Sequence, residues 1–414
     1  MSQAPITWSA ERAQELVEQF GSPVFVYDSA IIDRQYDRLK SAFKRCATRI
    51  HFAGKSLNNI NVWKYIQQKG AGFDAVSIEE VQLALHAGFD PKDILFTPNS
   101  VGLAEYEEAI RLGVHINVDN LSILEELGAI YGERVPVGIR INPHILAGGN
   151  HKISTGHIDS KFGISVHQMR HLHRIVDHYN MRIDGLHMHT GSEIIDVEVF
   201  LRGAQILLDH ALDFPHLEYV DFGSGFKVAY REGDLETNIE ELGEQMCELF
   251  GQFCEEYGRE LELIFEPGKF LVSEAGTFLT TAQVIKQTTS TVFVGVDSGL
   301  NHFIRPMFYD SYHHIENLTN PEGKQRIYSV VGYICETDTF AWDRPLPEVR
   351  QGDILAFKNA GAYVMSMASN YNSRLLPAEV FHHNGTFHLI RRRQEVKDLL
   401  RDQIEVEWNQ PALS

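Results

Sequence analysis

The sequence has little positive charge for its size. Its 414 residues include 37 lysines and arginines against 56 aspartates and glutamates, a formal net charge of −19. Nucleic acids and anionic membrane surfaces bind clustered basic side chains, so this balance argues against both as partners. The short basic run at residues 391–393 is interpreted as a solvated strand end.

Cysteine and long apolar runs are also scarce. The four cysteines, Cys46, Cys247, Cys254 and Cys335, include no CxxC pair, and their spacing predicts no disulfide framework. The first ten residues have neither the basic nor the apolar segment of a secretion signal. No segment approaches the ~20 apolar residues of a membrane span. We therefore expect a cytoplasmic protein with reduced cysteines, and no motif predicts a metal site.

Short apolar segments alternate with amphipathic segments along most of the chain. The segments between the apolar runs carry apolar residues at helical spacing, and several end in glycine. The apolar runs lack clean alternation, which is typical of parallel strands buried on both faces. Eight strand–helix units favour a closed (β/α)₈ barrel over an open sheet. The predicted strands are 50–55, 72–77, 93–99, 115–120, 135–143, 183–193, 217–227 and 261–272.

The last third of the chain has a different pattern, with several strand-like segments and little helix. Asn384 and Gly385 predict a hairpin turn between two of these strands. A further strand at residues 22–28 is available to pair with them. We predict a barrel domain at residues 34–280 and a mainly β domain made of residues 1–33 and 281–414.

Polar side chains and glycines gather at the predicted carboxyl ends of the barrel strands. Active sites of such barrels form on this face, so a lysine there is predicted to be functional rather than a surface charge. The residues are Lys55, Asp74, Arg140, Asn142, His187, His189, Ser192, Asp221, Gly223, Ser224, Gly225, Glu266, Gly268 and Lys269.

These residue types suit one cofactor. The Gly-Ser-Gly loop at 223–225 can bind a phosphate through backbone N–H groups, although such a loop alone often makes only a turn. Glu266 needs a partner if buried, and a protonated ring nitrogen would serve. His189 can stack on a ring, and Lys55 supplies an amine for an aldehyde. Together they predict a site for pyridoxal 5′-phosphate.

The chain also resembles a known family, through motifs that run in order from "SPVFVYD" to "PAEV". They include "FAGKSL", "FDAVSIEE", "RINP", "HMHTGSE", "GSGFK", "EPGKF", "RPMFYDSYHH", "CETDTF" and "AGAYVMSMASNYNSR". In these the chain is similar to the diaminopimelate decarboxylases, pyridoxal-phosphate enzymes built on an alanine-racemase-like barrel. The resemblance implies decarboxylation of meso-diaminopimelate to L-lysine, the last step of lysine biosynthesis, by a homodimer with shared active sites.

The resemblance also implies roles for individual residues. Lys55 matches the Schiff-base lysine, His189 the stacking imidazole and Glu266 the partner of the ring nitrogen. Cys335, supplied by the partner subunit, matches the proton donor. Phosphate-binding and supporting positions match Asp74, Glu80, Arg140, Ser192, Gly223, Ser224, Gly225, Pro267, Gly268 and Lys269. Substrate-binding positions match Arg305, Tyr309, Glu336 and Tyr363, with Lys269 as a further candidate.

Two departures from the family pattern affect substrate binding. Lys269 stands where the family usually has arginine, and a lysine binds an anion as a point charge without the bidentate fork. The segment after Glu336 reads "TDTFAWDRPLP" where many members have Ser-Gly-Asp. Neither change removes a chemical group that the reaction requires.

Other functions stay open at this point. A related decarboxylase would act on ornithine, arginine or carboxynorspermidine, although Glu336 after the cysteine favours diaminopimelate. A racemase would use Lys55 and a tyrosine of the β domain as opposite bases. A cofactor carrier of this fold would usually lack the β domain, and an inactive regulator would usually have lost the lysine or the cysteine. This sequence keeps the predicted β domain, Lys55 and Cys335.

Overall fold

The computed structural model describes residues 4–145 and 160–408. The described strands are β1 (Val24–Asp28), β2 (Thr48–Ala53), β3 (Gly72–Ala75), β4 (Ile94–Phe96), β5 (His115–Val118), β6 (Val137–Asn142), β7 (Ile164–Ser165), β8 (Ile183–His187), β9 (Tyr219–Asp221), β10 (Glu262–Phe265), β11 (Gly276–Gln287), β12 (Val292–Val296), β13 (Ile315–Asn317), β14 (Gln325–Val331), β15 (Thr339–Pro347), β16 (Ile354–Phe357), β17 (Ala378–His383) and β18 (Thr386–Arg391).

The described helices are α1 (Ala10–Phe20), α2 (Ser29–Ala42), α3 (Ile60–Gln68), α4 (Ile78–Ala87), α5 (Leu103–Leu112), α6 (Leu121–Tyr131), α7 (Met169–His178), α8 (Val197–Ala211), α9 (Ile239–Tyr257), α10 (Lys269–Val272), α11 (Arg305–Tyr309) and α12 (Val396–Leu400). Among these helices none has the length and apolar character that crossing a membrane would require.

Local sequence explains why the helices begin and end where they do. The side chain of Ser77 accepts the Glu80 N–H and caps α4, which ends at Gly88 in the left-handed conformation. Asn238 caps α9 in the same way, and Gly258 ends it. These capping residues are local signals, so the predicted helices appear at the expected places.

Eight parallel strands close into a barrel, as the sequence predicts. The sheet runs β5-β4-β3-β2-β10-β9-β8-β6, and β5 also pairs with β6 to complete the circle. Leu95, Tyr219 and Ile264, from three of these strands, form a buried cluster. On the outer face of the strands, Phe73 is fully buried against Trp63 of α3, with ring centres 4.6 Å apart. Because all eight strands point the same way, their carboxyl ends meet on one face.

The second unit is a mainly β structure, and this prediction is also confirmed. Its sheet runs β15-β14-β12-β11-β1-β17-β18, with β16 beside β11 and β13 beside β16. The amino-terminal strand β1 therefore lies between two strands from much later in the chain. Asn384 and Gly385 both adopt positive φ at the turn between β17 and β18, as an Asn-Gly hairpin requires.

The structure divides the chain into two units. The first contains Asp28–Gly276 and Lys358–Ser366, and the second contains Ile6–Tyr27, Thr277–Phe357 and the chain from Met367 onward. The predicted limits of 34 and 280 lie close to these, but residues 358–366 join the barrel unit instead of the β domain. Backbone hydrogen bonds hold them there, including Tyr363 N–H to the Ser56 carbonyl at 2.7 Å.

The prediction that no disulfide forms is wrong for one pair. Cys46, just after α2, is bonded to Cys247 in α9, with their Cα atoms 5.5 Å apart. The two residues are 201 positions apart in sequence, so their spacing carries no signal. They meet because α2 and α9 pack together on the outside of the barrel. Cys254 and Cys335 remain as thiols.

Candidate active site

The carboxyl ends of the barrel strands form a pocket that contains most of the predicted cofactor-binding residues. They reach it from β2, β8, β9 and β10 and from the segment 358–366. The pocket is lined by Ala53, Lys55, His189, Ser192, Ser224, Gly225, Phe226, Glu266, Gly268, Lys269, Phe270 and Tyr363. The parallel topology brings these residues together although they span more than 300 positions of sequence.

Lys55 lies in a single 3₁₀ turn, Gly54–Ser56, that directly follows β2. Its ammonium is 2.6 Å from Oδ2 of the fully buried Asp74 in β3, and 38% of the lysine side chain is exposed. Burial favours the neutral amine, but Asp74, Tyr363 and Glu266 outweigh it and raise the pKa of Lys55. Without a bound partner, Lys55 is therefore a charged amine held by Asp74.

Glu266 follows β10 and is the buried carboxylate of the pocket. His187 Nε2 lies 3.1 Å from its Oε2, and both side chains are almost fully buried. Burial raises the pKa of Glu266, but its interaction with His187 and the charge of Lys55 lower it far below its usual range. Burial and the Glu266 charge raise the pKa of nearby Asp221 well above its usual range. Glu266 is thus the ionised member of the pair.

His187, Asp221 and Glu266 have ligand atoms within 4.8 Å of one another, a spacing that a metal ion also uses. The contacts point to another role. His187 already donates to Glu266 through Nε2, and Oδ1 of Asp221 accepts the Gly223 N–H at 2.7 Å. We interpret the group as the support of the Glu266 carboxylate.

His189 and the glycine loop are packed against each other. The Ser224 N–H donates to His189 Nδ1 at 3.3 Å. Gly223 and Gly225 both have positive φ, and a Cβ at Gly225 would lie 2.2 Å from the Gly191 carbonyl oxygen. Burial, with the charges of Arg140 and Lys55, lowers the pKa of His189 to about 3. Its imidazole is therefore neutral, as a ring that stacks on an aromatic cofactor should be.

Lys269 is a buried lysine whose partner the sequence analysis missed. Its ammonium is 3.2 Å from Oε1 of Glu193, and only 9% of the lysine side chain is exposed. Glu193 has a φ of 67° and follows Ser192 in the "HMHTGSE" segment. A carboxylate beside a predicted phosphate-binding serine is the one signal that could have marked Glu193 in advance.

The remaining barrel residues surround this pocket. Arg140 in β6 is buried, and its guanidinium lies 4.8 Å from the centre of the Phe162 ring. Glu80 accepts the Val76 N–H at 2.9 Å and so holds the segment that follows β3. Pro267 accepts the Ala53 N–H through its carbonyl at 3.3 Å. These contacts agree with supporting roles.

The second unit carries the other predicted residues. Arg305 begins α11 and is buried, with its guanidinium 3.3 Å from Ser311 Oγ and 5.4 Å from the centre of the Tyr309 ring. Cys335 and Glu336 lie in the turn between β14 and β15, and both are exposed in this chain. They are neighbours at the tip of a hairpin, so one turn presents both side chains.

Comparison with known proteins identifies the family. A family model described as "Pyridoxal-dependent decarboxylase, pyridoxal binding domain" matches residues 29–273. The diaminopimelate decarboxylase of Methanothermobacter thermautotrophicus is 38% identical over 402 residues, 94% of each chain. The enzyme of the same name from Escherichia coli K12 is 34% identical over 95% of this chain and 96% of its own. The chain belongs to the diaminopimelate decarboxylase family.

Solved structures agree with this assignment. Diaminopimelate decarboxylase from M. jannaschii in complex with L-lysine has a TM-score of 0.88 and 31% identity, over 95% of this chain and 94% of its own. A lysine/ornithine decarboxylase from Vibrio vulnificus, with a TM-score of 0.79 and 23% identity, shows only that the fold is shared. The predicted fold, enzyme class and cofactor are confirmed at the level of the family.

The pocket fits the cofactor of this family, pyridoxal phosphate. Glu266 is a buried, ionised carboxylate of the pocket, as the partner of a protonated ring nitrogen should be. The glycine loop allows a close approach of the backbone, His189 offers a neutral ring face, and Lys55 offers an amine. This chain thus keeps each chemical group that the cofactor needs.

Proposed function

We propose that the protein removes CO₂ from meso-diaminopimelate and releases L-lysine. The observation that carries the proposal is the convergence of Lys55, His189, the 223–225 loop and Glu266 on one pocket. Supporting it, the curated relatives named above are diaminopimelate decarboxylases, and solved structures of such enzymes hold L-lysine. The proposal includes the individual roles of the site residues.

Each barrel residue has a distinct part in binding the cofactor. Lys55 would hold the cofactor covalently and then give way to the amino group of the substrate. Ser192 and the loop formed by Gly223, Ser224 and Gly225 would bind the phosphate, with the Gly223 and Ser224 N–H groups fixing the loop to Asp221 and His189. Glu266, kept ionised by His187, would hold a proton on the ring nitrogen. When bound, pyridoxal phosphate supplies a sink for the electron pair that departing CO₂ leaves behind.

The proton that replaces CO₂ would come from Cys335 of the second copy in a homodimer. Its S–H bond breaks, the proton moves to the carbon that lost CO₂, and a thiolate remains. Glu336 beside it would bind the distal ammonium of the substrate. The exposure of both side chains on this chain supports such delivery to another copy.

Three cationic or hydroxyl groups would select the distal carboxylate of the substrate. Arg305 can engage both carboxylate oxygens at once, and Tyr309 can donate a third hydrogen bond. Lys269 would add a point charge held in place by Glu193. A substrate that lacks this carboxylate would not form these charge-assisted hydrogen bonds and should bind more weakly. A cytoplasmic location, predicted from the sequence, stays a prediction.

The test is release of CO₂ by the purified protein with added pyridoxal phosphate. Meso-diaminopimelate, ornithine, arginine and carboxynorspermidine are run side by side, and lysine is measured as product. We expect lysine from diaminopimelate only. Lys55→Ala should abolish release and remove the visible absorbance of the lysine-bound cofactor. Lys64→Ala, an exposed lysine on α3, should change neither.

Release from another substrate would keep the decarboxylase assignment and contradict the proposed substrate. No release from any of the four, with cofactor bound through Lys55, would contradict the proposal as a whole. It would then favour a cofactor carrier or a regulator.

A further inference from the structure

A second loop of the same unit, residues 369–376, contacts the hairpin tip that carries Cys335 and Glu336. Asn372 Nδ2 donates to Cys335 Sγ at 3.2 Å. The hydroxyl of Tyr371 donates to Oε1 of Glu336. Cys335 Sγ also lies 3.8 Å from Asn372 Oδ1, and the Tyr371 hydroxyl interacts with the thiol as well. Two consecutive residues therefore hold the exposed pair.

We propose that Asn372 and Tyr371 are positioning residues for the reaction, Asn372 for the Cys335 thiol and Tyr371 for the Glu336 carboxylate. The inference rests on the proposed function, in which Cys335 gives a proton and Glu336 binds the substrate ammonium. Neither donor would exchange a proton with the substrate, and each would act through the side chain that it holds.

The 369–376 loop is held at both ends by one short segment. The Ser369 N–H donates to the Asn301 carbonyl at 2.8 Å. His302 Nε2 is 3.0 Å from the Leu375 carbonyl oxygen near the other end. Between these ends, Asn370 Nδ2 donates to the Arg374 carbonyl at 2.8 Å and closes the loop on itself. The loop therefore places Tyr371 and Asn372 at a defined position.

The hairpin tip is held by the same segment. The carboxylate of Asp338 accepts the Ile334 N–H at 2.9 Å and the Leu300 N–H at 2.8 Å. A Cβ at Gly332 would lie 2.6 Å from the Cα of Gly299, so the two backbones approach closely there. Both loops are thus fixed to residues 299–302, which determines how Cys335 meets Asn372 and how Glu336 meets Tyr371.

The chemistry of the donors suits the two tasks. An amide N–H that donates to sulfur binds more strongly once the thiol has lost its proton, because hydrogen bonds to a charged acceptor are stronger. Asn372 should therefore stabilise the thiolate that proton transfer produces, and so the step itself. The hydrogen bond and the charge of Glu336 raise the pKa of Tyr371 to about 12. Tyr371 thus remains a donor at neutral pH.

These roles predict different kinetic effects. For Asn372→Ala, kcat should fall roughly tenfold while KM changes by less than about twofold, because the lost interaction forms fully only in the transition state. For Tyr371→Phe, KM for meso-diaminopimelate should rise roughly fivefold with kcat nearly unchanged, because a substrate-binding carboxylate has lost its support. Ser373→Ala, in the same exposed loop, is the matched control and should change neither.

A second measurement does not depend on turnover. Alkylation of Cys335 by iodoacetamide is followed by mass spectrometry in the full-length protein without substrate, with Cys254 of the same chain as internal reference. Asn372→Ala should lower the alkylation rate of Cys335 by roughly threefold or more. The thiolate is the nucleophile, and in this variant it has lost a hydrogen-bond donor. Cys254 should react at an unchanged rate, and Ser373→Ala should leave the alkylation rate of Cys335 unchanged.

Alkylation of Cys335 at the wild-type rate in Asn372→Ala would overturn the role of Asn372. A Tyr371→Phe enzyme with lowered kcat and unchanged KM would overturn the role of Tyr371. These failures are distinct from failure of the proposed function. A wild-type protein that releases no CO₂ but whose Cys335 reactivity depends on Asn372 would contradict the reaction and leave the thiol contact established.

Discussion

Burial and neighbouring charges together determine the protonation state of each side chain in the pocket, and their balance differs from one residue to the next. For Lys55 and Glu266 the effect of the neighbouring side chains on the pKa outweighs the effect of burial, so both residues are charged. For His189 burial and the neighbouring cations act together, and the ring is neutral. A pocket prepared in this way offers an amine, an anion and a neutral ring within one small volume, which are the groups that the cofactor requires.

A buried histidine outside the pocket predicts how stability should depend on pH. His51 in β2 is 1% exposed, and burial, with the charge of Arg49, lowers its pKa from 6.5 to about 4. Between these values the unfolded chain binds the proton and the folded chain does not. The contribution of His51 to stability is therefore present above pH 6.5 and is lost as the pH falls towards 4.

We expect His51→Leu to make the pH dependence of the unfolding free energy shallower by up to about 1.4 kcal/mol per pH unit between pH 6.5 and 4. Urea unfolding at several pH values measures this slope. His216→Leu, which replaces an exposed histidine, is the control and should leave the slope as it is. An equal slope in wild type and His51→Leu would contradict the prediction.

Helix α9 contains two glycines, one packed against a neighbouring helix and one on an open face. At Gly243 an added Cβ would lie 2.4 Å from the Ala42 carbonyl oxygen at the end of α2. One turn later Cys247 is bonded to Cys46. At Gly251 the same Cβ would meet nothing within 4 Å. The first glycine allows two helices to approach, whereas the second contributes only flexibility.

The two glycines of α9 therefore predict opposite effects of the same substitution. Gly251→Ala should raise the free energy of unfolding by about 0.5–1 kcal/mol, because alanine loses less backbone entropy in a helix. Gly243→Ala should lower it by roughly 1–3 kcal/mol through overpacking. Denaturant unfolding at pH 7.5 compares both with wild type. Stabilisation by Gly243→Ala would show that α2 and α9 are not in close contact.

The proposed reaction needs two copies of the chain, because each copy is proposed to supply Cys335 to the active site of the other. One chain would carry the lysine of a given site and the other chain its proton donor. A homodimer then contains two such sites, each made of parts from both copies. This arrangement can be tested without a structure of the dimer.

Mixing Lys55→Ala chains with Cys335→Ala chains should restore activity that neither variant has alone. Each mixed dimer has one site with an intact lysine and an intact cysteine, so a statistical mixture should reach at most about a quarter of wild-type CO₂ release. Mixing Lys55→Ala with a chain that carries both substitutions is the control and should restore nothing. No recovery with mixed dimers shown to form would contradict the shared site.

The strands and the pocket residues could be read from the sequence because their signals are local. Apolar runs predict buried strands, and parallel strands place their carboxyl ends on one face, so Lys55, His189 and Glu266 could be grouped before any coordinates. The Asn-Gly turn at 384–385 and the glycine at the end of α9 are likewise signals contained in a few residues. Each of these signals depends on the backbone preferences of a few adjacent residues or on the period with which they are buried.

Contacts between distant segments required the fold itself. The Cys46–Cys247 bond, the Glu193–Lys269 ion pair and the Asn372–Cys335 hydrogen bond each join residues far apart in sequence. No local pattern marks such pairs, because they depend on how closing the barrel or pairing two loops brings side chains within about 3–4 Å. Local chemistry in the sequence therefore identifies the groups, and long-range packing selects the partner that holds each one in place.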